Sequence, residues 1–163
     1  MRKFAHSSVL LYLCLIGCGL ASLPVLAEKN AVAVFDLENM TPYEPATANM
    51  GELLSGQVID ALKEAKHIVV ERERLILALE ELKLGSGALA DPSTRLQVGK
   101  IVGARYMVFG TYMIIGGVMR LDLRLVDVET GGILSACERS TSNPDPAEWM
   151  RLAREAAKTL FYT

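Results

Sequence analysis

Residues 106–136, YMVFGTYMIIGGVMRLDLRLVDVETGGILSA, decide the fold. Their first ten residues offer two alternating sets that are both mostly apolar: Tyr106, Val108, Tyr112 and Ile114 on one side, Met107, Phe109, Met113 and Ile115 on the other. A strand apolar on both sides is expected to be central in its sheet and covered on both faces. Gly116-Gly117 then suits a two-residue hairpin whose central residues need positive φ. In the next strand Met119, Leu121, Leu123 and Leu125 alternate with Arg120, Asp122 and Arg124, so one face is core and the other meets water or another molecule. A second turn over Glu129–Gly132, with Gly where φ is expected to be positive, leads into a third strand ending the meander.

Working outward, Ala31–Leu37 (AVAVFDL) reads as a buried strand, and Glu38–Ala48, with Pro42 and Pro45, as a loop. From Asn49, apolar residues recur at Met50, Leu53, Leu54, Val58, Ala61, Leu62 and Ala65, one face of an amphipathic helix. Ile68–Val70 reads as a short strand. Glu71–Leu84 reads as a second helix with a Leu75, Leu79, Leu82 stripe, stopped by Gly85-Ser86-Gly87. Asp91-Pro92 pairs a cap with proline at the first helical position, and this third helix is expected to run to about Val102, with Gly103 closing it. After Asn143–Pro146, Asp145 caps a last helix with Glu148 in capping-box position and Trp149, Leu152, Ala153, Ala156 and Leu160 as its buried stripe. The sum is a single α+β domain, residues 28–163, with a mixed sheet, a C-terminal three-strand antiparallel meander and about four packed helices.

Residues 1–27 are expected to be a signal peptide. Arg2 and Lys3 precede an uncharged run from Val9, and Val25-Leu26-Ala27 fits a peptidase site that cleaves between Ala27 and Glu28. Gly17, Gly19 and Pro24 count against reading the run as a membrane anchor. A rival pattern overlaps it. Leu15-Ile16-Gly17-Cys18 resembles a lipobox, which would make Cys18 an acylated N-terminus and tether the domain to a membrane. The residues after Cys18 stay apolar to Ala27, unlike a polar lipoprotein tether. The destination is periplasmic in the first case and, in the second, the periplasmic side of the outer membrane.

Chemistry is sparse. The chain has 17 basic and 19 acidic residues, a net charge of −2, and no basic patch for nucleic acid. Beyond residue 27 only one His (His67) and one Cys (Cys137) remain, too few for a zinc site and unable to form an intramolecular disulfide. His67 reads as a partly exposed residue at a helix end, and Cys137 as a small packed thiol. Asp36 and Glu38, at i and i+2, point the same way, so a paired acid–base site is conceivable; a solvated strand end is the simpler account. Glycine-rich Gly85-Ser86-Gly87 lacks the strand-to-helix setting of a phosphate loop. No catalytic, cofactor or metal residues are therefore expected. The Arg120/Asp122/Arg124 stripe is the expected contact surface for a protein partner, set against its alternative as a solvated face whose charges deter unwanted pairing.

AVAVFDLEN, VVERERLILALEELKLGSGALADPST, VGKIVGARYMVFGTY and LRLVDVETGGILSA, in that order, resemble the CsgG/HfaB family of bacterial envelope proteins, over roughly residues 31–140. The resemblance implies a periplasmic, non-enzymatic domain serving curli-type secretion or envelope assembly, with envelope protein partners and a homo-oligomeric state as expectations, and no cofactor. The eponymous member forms an outer-membrane channel from long hairpins inserted in this domain. Here only eight residues lie between Tyr112 and Leu121, which leaves no room for a lipid-facing strand pair at that point. The related penicillin-binding-protein activators of the LpoB type supply the alternative reading. It prefers a long tether from an acylated Cys18, whereas about 12 residues, an extended reach near 40 Å, separate Cys18 from the first strand.

Overall fold

The computed structural model describes residues 30–42, 49–82 and 91–161. Among these residues five strands and four helices follow in the order β1 (Val32–Val34), β2 (Glu38–Asn39), α1 (Met50–Glu64), α2 (Arg72–Glu81), α3 (Pro92–Ile101), β3 (Tyr106–Ile115), β4 (Val118–Asp127), β5 (Ile133–Thr141) and α4 (Pro146–Phe161). The sheet is mixed, in the order β1-β3-β4-β5, and β2 also pairs with β3. β1 and β2 run parallel to β3; β3, β4 and β5 form the antiparallel meander.

The meander follows the sequence pattern closely. β3 and β4 pair without interruption from Tyr106↔Asp127 to Ile115↔Val118, and Gly116 (φ 58°) and Gly117 (φ 78°) close the turn. Both values lie in the left-handed region, which glycine enters at no steric cost. The hairpin thus closes within two residues, with nothing inserted. Between β4 and β5 the register shifts at Leu125/Val126, which partner Ser135 and Ile133, so Leu134 is the extra residue of a β-bulge. Gly131 (φ 71°) makes the turn before it, whereas Gly132 has no positive φ.

β1 departs from the expected seven-residue strand. It is pairing-competent at Val32–Val34 and again, as β2, at Glu38–Asn39, two residues that read as loop in the sequence. Between them the Leu37 amide bonds to the carbonyl of Gly51 on α1. The Leu37 carbonyl lies so close to Gly51 that a Cβ there would collide with it, and at Gly110 a Cβ would collide with Leu123 and the Asp122 carbonyl and crowd the Leu37 side chain. The break in β1 is therefore the place where α1 enters against the sheet. That approach also rotates α1: Gly51 and Ser55 join its buried face, and Leu53, expected inside, is exposed. The expected strand Ile68–Val70 contracts to one parallel bridge, Val69 with Val32.

The helices pack on both sides of the sheet. α1 and α4 cover one face, and with Val32, Val34, Val108, Tyr112, Met119, Leu121, Leu123, Leu125 and Cys137 they build the larger core. α4 buries all five residues of its expected stripe. Asp145 caps it by accepting from the Ala147 amide, but Glu148 does not complete a capping box, because its carboxylate is taken by Arg151. α2 and α3 cover the other face only over β1 and the first half of β3, in a smaller core of Ala33, Phe35, Leu75, Ala78, Val98 and Met107 among others. Asp91 caps α3 by accepting from the Thr94 amide, and Gly103 (φ 72°) follows its end. β3 is central, as expected, but is covered on both faces only as far as Phe109; Thr111, Met113 and Ile115 lie beyond the helices on their side.

Candidate functional site

The half-covered face carries a continuous groove at whose centre Arg95 of α3 lies over the ring of Phe109, its guanidinium 4.9 Å from the ring centroid. Phe109 in turn stacks on Phe35, with centroids 5.2 Å apart. A cation over an aromatic face is attracted by the ring quadrupole. Here the contact also holds Arg95 across the mouth of three adjoining concavities, each of which it and Phe109 help to line.

The first, about 260 Å³, lies between α2 and the ends of β1 and β2. Its floor is apolar (Phe35, Leu75, Leu79, Phe109) and its rim carries Asp36, Glu38, Arg72 and Arg95. Arg72 grips Asp36 with two hydrogen bonds, Nη1 to Oδ1 at 2.6 Å and Nη2 to Oδ2 at 2.8 Å, and the Ser55 hydroxyl donates to the same Oδ1 at 3.0 Å. The Asp36 carboxylate, first by hydrogen bond and then by charge, raises the Arg72 guanidinium above its ordinary value. Glu38 faces a different cation, Arg95, at 3.3 Å. The two carboxylates share a rim, as their spacing implied, but each is spoken for by its own arginine. That is the arrangement of ion pairs fixing α2 and α3 to the strand ends, not of a proton-sharing acid and base.

The second, about 330 Å³, runs over the open sheet and includes Thr111, Arg120, Asp122 and Arg124. The structure puts the three stripe residues side by side on β4 with unequal partners. Arg120 donates from Nε and Nη2 to Asp122, both at 2.9 Å, and from Nη2 to Glu138 on β5, also at 2.9 Å. These contacts, led by the hydrogen bond to Asp122, raise the Arg120 guanidinium above its usual range. Arg124 is exposed and forms no ion pair with any described residue. The third concavity, about 190 Å³, is lined by Arg95, Leu96, Phe109, Arg124, Val126, Gly131 and Ile133: two cations, apolar walls and no carboxylate.

At the end of this face Asp127, buried on β4, builds the turn to β5. Its Oδ1 accepts from the amides of Glu129 and Thr130, both at 2.9 Å, and from the Thr130 hydroxyl at 3.2 Å, while Oδ2 meets Arg105 Nη2 at 2.8 Å. The Thr130 amide first, then the Thr130 hydroxyl, Arg105 and the Glu129 amide, hold this carboxyl below the usual range against the cost of its burial. Sequence reasoning passed over Asp127, although Asp-Val-Glu-Thr ahead of two glycines is the signature of a side chain bonding its own turn.

The remaining candidates stay apart from the groove. His67 is partly exposed and rests on Phe161, ring centroids 4.3 Å apart. Cys137 is buried in the larger core. No cluster of three or more His, Cys, Asp or Glu residues that could hold a metal occurs among the described residues, and no helix among them is long and apolar enough to cross a membrane. Cys18, Ala27 and Glu28 lie outside the described residues.

Known structures share this fold. The C-terminal domain of LpoB from Escherichia coli superposes with a TM-score of 0.59 at 22% identity, covering 70% of this chain and 83% of that one. Lipoprotein GNA1162 from Neisseria meningitidis gives 0.59 at 16% identity, over 82% and 97% of the two chains. PelC from Paraburkholderia phytofirmans, solved as a dodecamer, gives 0.52 at 14% identity, over 80% and 87%. No curated protein matches the sequence. The profile of the family described as curli production assembly/transport component CsgG matches residues 18–114, more than half of the chain, ending near the end of β3 just before the glycine hairpin. The chain belongs to the CsgG family.

Proposed function

We propose that this protein is a non-enzymatic accessory or assembly factor of the bacterial cell envelope, facing the periplasm and acting by binding other proteins, including further copies of itself. The observation that carries this reading is the half-covered sheet face. A groove there presents apolar floor and paired charges without a nucleophile, a free acid–base pair or a metal cluster among the described residues. Surfaces of this kind suit macromolecular contact better than turnover. Family membership supports an envelope role, and the signal-peptide pattern of residues 1–27 supports export. The two-residue closure of β3–β4 supports a member without a channel-forming insertion at that hairpin. The dodecameric state of PelC, on the same fold, supports self-association.

The test is to isolate the protein from the periplasmic fraction after in-cell crosslinking and to weigh it by native mass spectrometry. Recovery of oligomers together with a reproducible envelope protein is the expected result. A strict monomer with no envelope partner would sink the reading.

The likeness to the LpoB domain favours one alternative, an activator of a penicillin-binding protein. A glycan-polymerisation assay decides it: stimulation of a synthase from the same cell selects the activator, and an unchanged rate leaves the assembly factor.

A further inference from the structure

α2 carries two stripes; one is buried against the described residues, and the other is exposed, with Ile76 also edging the first concavity. Leu75 and Ala78 are buried, with Leu79 and Leu82 packed beside them. On the opposite side Glu73, Ile76, Leu77 and Glu80 recur at i, i+3, i+4 and i+7, one continuous helical face. Ile76 is 45% and Leu77 58% exposed, and Glu73, Glu80 and Glu81 form no ion pair with any described residue. Glu80 and Glu81 also sit at the negative end of the helix macrodipole, and the last turn holds no basic residue to offset them. A cation brought from outside would relieve that end.

The complementary surface lies at the far edge of the same molecule. α2 packs over β1, at one edge of the sheet; Arg124 and Ile133 lie on β4 and β5, towards the other edge. Around them the 190 Å³ concavity has apolar walls, no carboxylate in its lining and two arginines, of which Arg95 already pairs with Glu38 and Arg124 carries the uncompensated charge. Arg124 has no counter-ion among the described residues, and Ile133, opposite Val126, and the bulge residue Leu134 are 57% and 55% exposed. One patch is apolar and anionic, the other apolar and cationic.

We propose that copies of this chain associate head to tail, the outer face of α2 on one copy seated against the Arg124–Ile133 patch of the next. The proposal rests on the self-association read above and assigns its surfaces. Pairing either patch with itself would oppose like charges, so the contact is between unlike surfaces. Repetition of such a contact closes a ring or runs on as a filament. It leaves α1 and α4 on the far side of the sheet outside the interface.

Two surface variants test it, measured by sedimentation velocity on the protein as isolated from cells. Leu77→Ser with Glu80→Gln disables the α2 face; Arg124→Gln with Ile133→Ser disables the other. Unchanged thermal melts show that both remain folded. Each variant alone is expected to associate at least about tenfold more weakly than the parent. An equimolar mixture is expected to give a one-to-one pair and nothing larger, because each variant keeps one working face. A monomeric parent overturns the self-association reading and this proposal together. A parent and variants that oligomerise alike overturn this proposal alone, and so do variants that remain monomeric when mixed.

Discussion

On β4, Arg120 and Leu121 are neighbours in sequence and stand on opposite sides of one sheet, in surroundings that share almost nothing. Leu121 is wholly buried beneath α1 and α4, in a core that spans four strands and both helices. Arg120 lies on a face that α2 and α3 cover only over β1 and half of β3, and its contacts are exposed carboxylates. The same strand thus supplies the fold through its even-spaced leucines and, on the reading proposed above, a contact surface through the charges between them. The lesson is a division of labour along a period of two: the sealed face carries stability, and the open face is free to carry recognition.

The comparison breaks first, and most visibly, at Leu121. Leu121→Ala removes a fully buried side chain between two helices that cannot collapse onto the gap independently. It is expected to cost about 2–5 kcal/mol, the range for such truncations in packed cores. Urea denaturation followed by circular dichroism reads this as a lower midpoint at an unchanged slope. A loss no larger than that of a surface substitution would mean that the α1/α4 face is not the stabilising one.

A smaller effect is expected where the two faces meet, at the Asp127 turn. This carboxyl has its native pKa depressed, so its contribution is complete above the ordinary aspartate value, about 3.9, and is lost as pH falls through the lower native value. Asp127→Asn keeps an acceptor for the Glu129 and Thr130 amides but gives up the charge that faces Arg105. The variant is expected to be less stable than the parent at neutral pH, and the two stabilities should converge as the solution is acidified below about pH 4. The other depressed carboxyls, Asp91 and Glu148, are common to both proteins and drop out of the difference. A gap that stays constant with pH would show that the Asp127 charge, held by the Thr130 amide and hydroxyl, Arg105 and the Glu129 amide, contributes nothing.

How much of this was legible in the sequence follows the same division. The meander, its glycine turn and the α4 stripe are local patterns, a period of two or of 3.6 punctuated by glycine and proline, and the structure reproduces them. Less legible were features decided by distant chain. Glu38-Asn39 has no strand propensity and pairs only because Thr111 and Tyr112 are offered to it in parallel. Leu53 turns outward because Gly51 must meet the Leu37 carbonyl, and nothing in the helix's own spacing records that approach. The stripe Arg120, Asp122, Arg124 was readable as a face, but not its pairing: Arg120 takes Asp122 and Glu138 from the next strand, and Arg124 has no ion pair among the described residues. Arg95 and Phe109, the hub of the groove, lie in different elements and carry no joint signal in the sequence.

The smallest expected effect sharpens the contrast most. Met113 alternates with Tyr112 and Ile114 on β3, pairs across from Arg120 on β4, and belongs to the apolar set that implied a strand covered on both faces. In the structure α3 does not reach it, and the residue is only partly buried while Tyr112 beside it is almost wholly so. If the open face is solvent-accessible in the isolated chain, Met113→Ser exchanges a half-wet thioether for a hydroxyl that water can satisfy. Its cost should then stay below about 1 kcal/mol, the scale of substitutions away from packed cores. The same urea titration as for Leu121→Ala measures it at low protein concentration, where self-association contributes least. A loss approaching that of Leu121→Ala would mean that something covers Met113 even in the single chain, and the open face would have to be redrawn as a second core. A loss that grows with protein concentration would instead place Met113 at a contact between copies, because an interface adds stability only where mass action fills it.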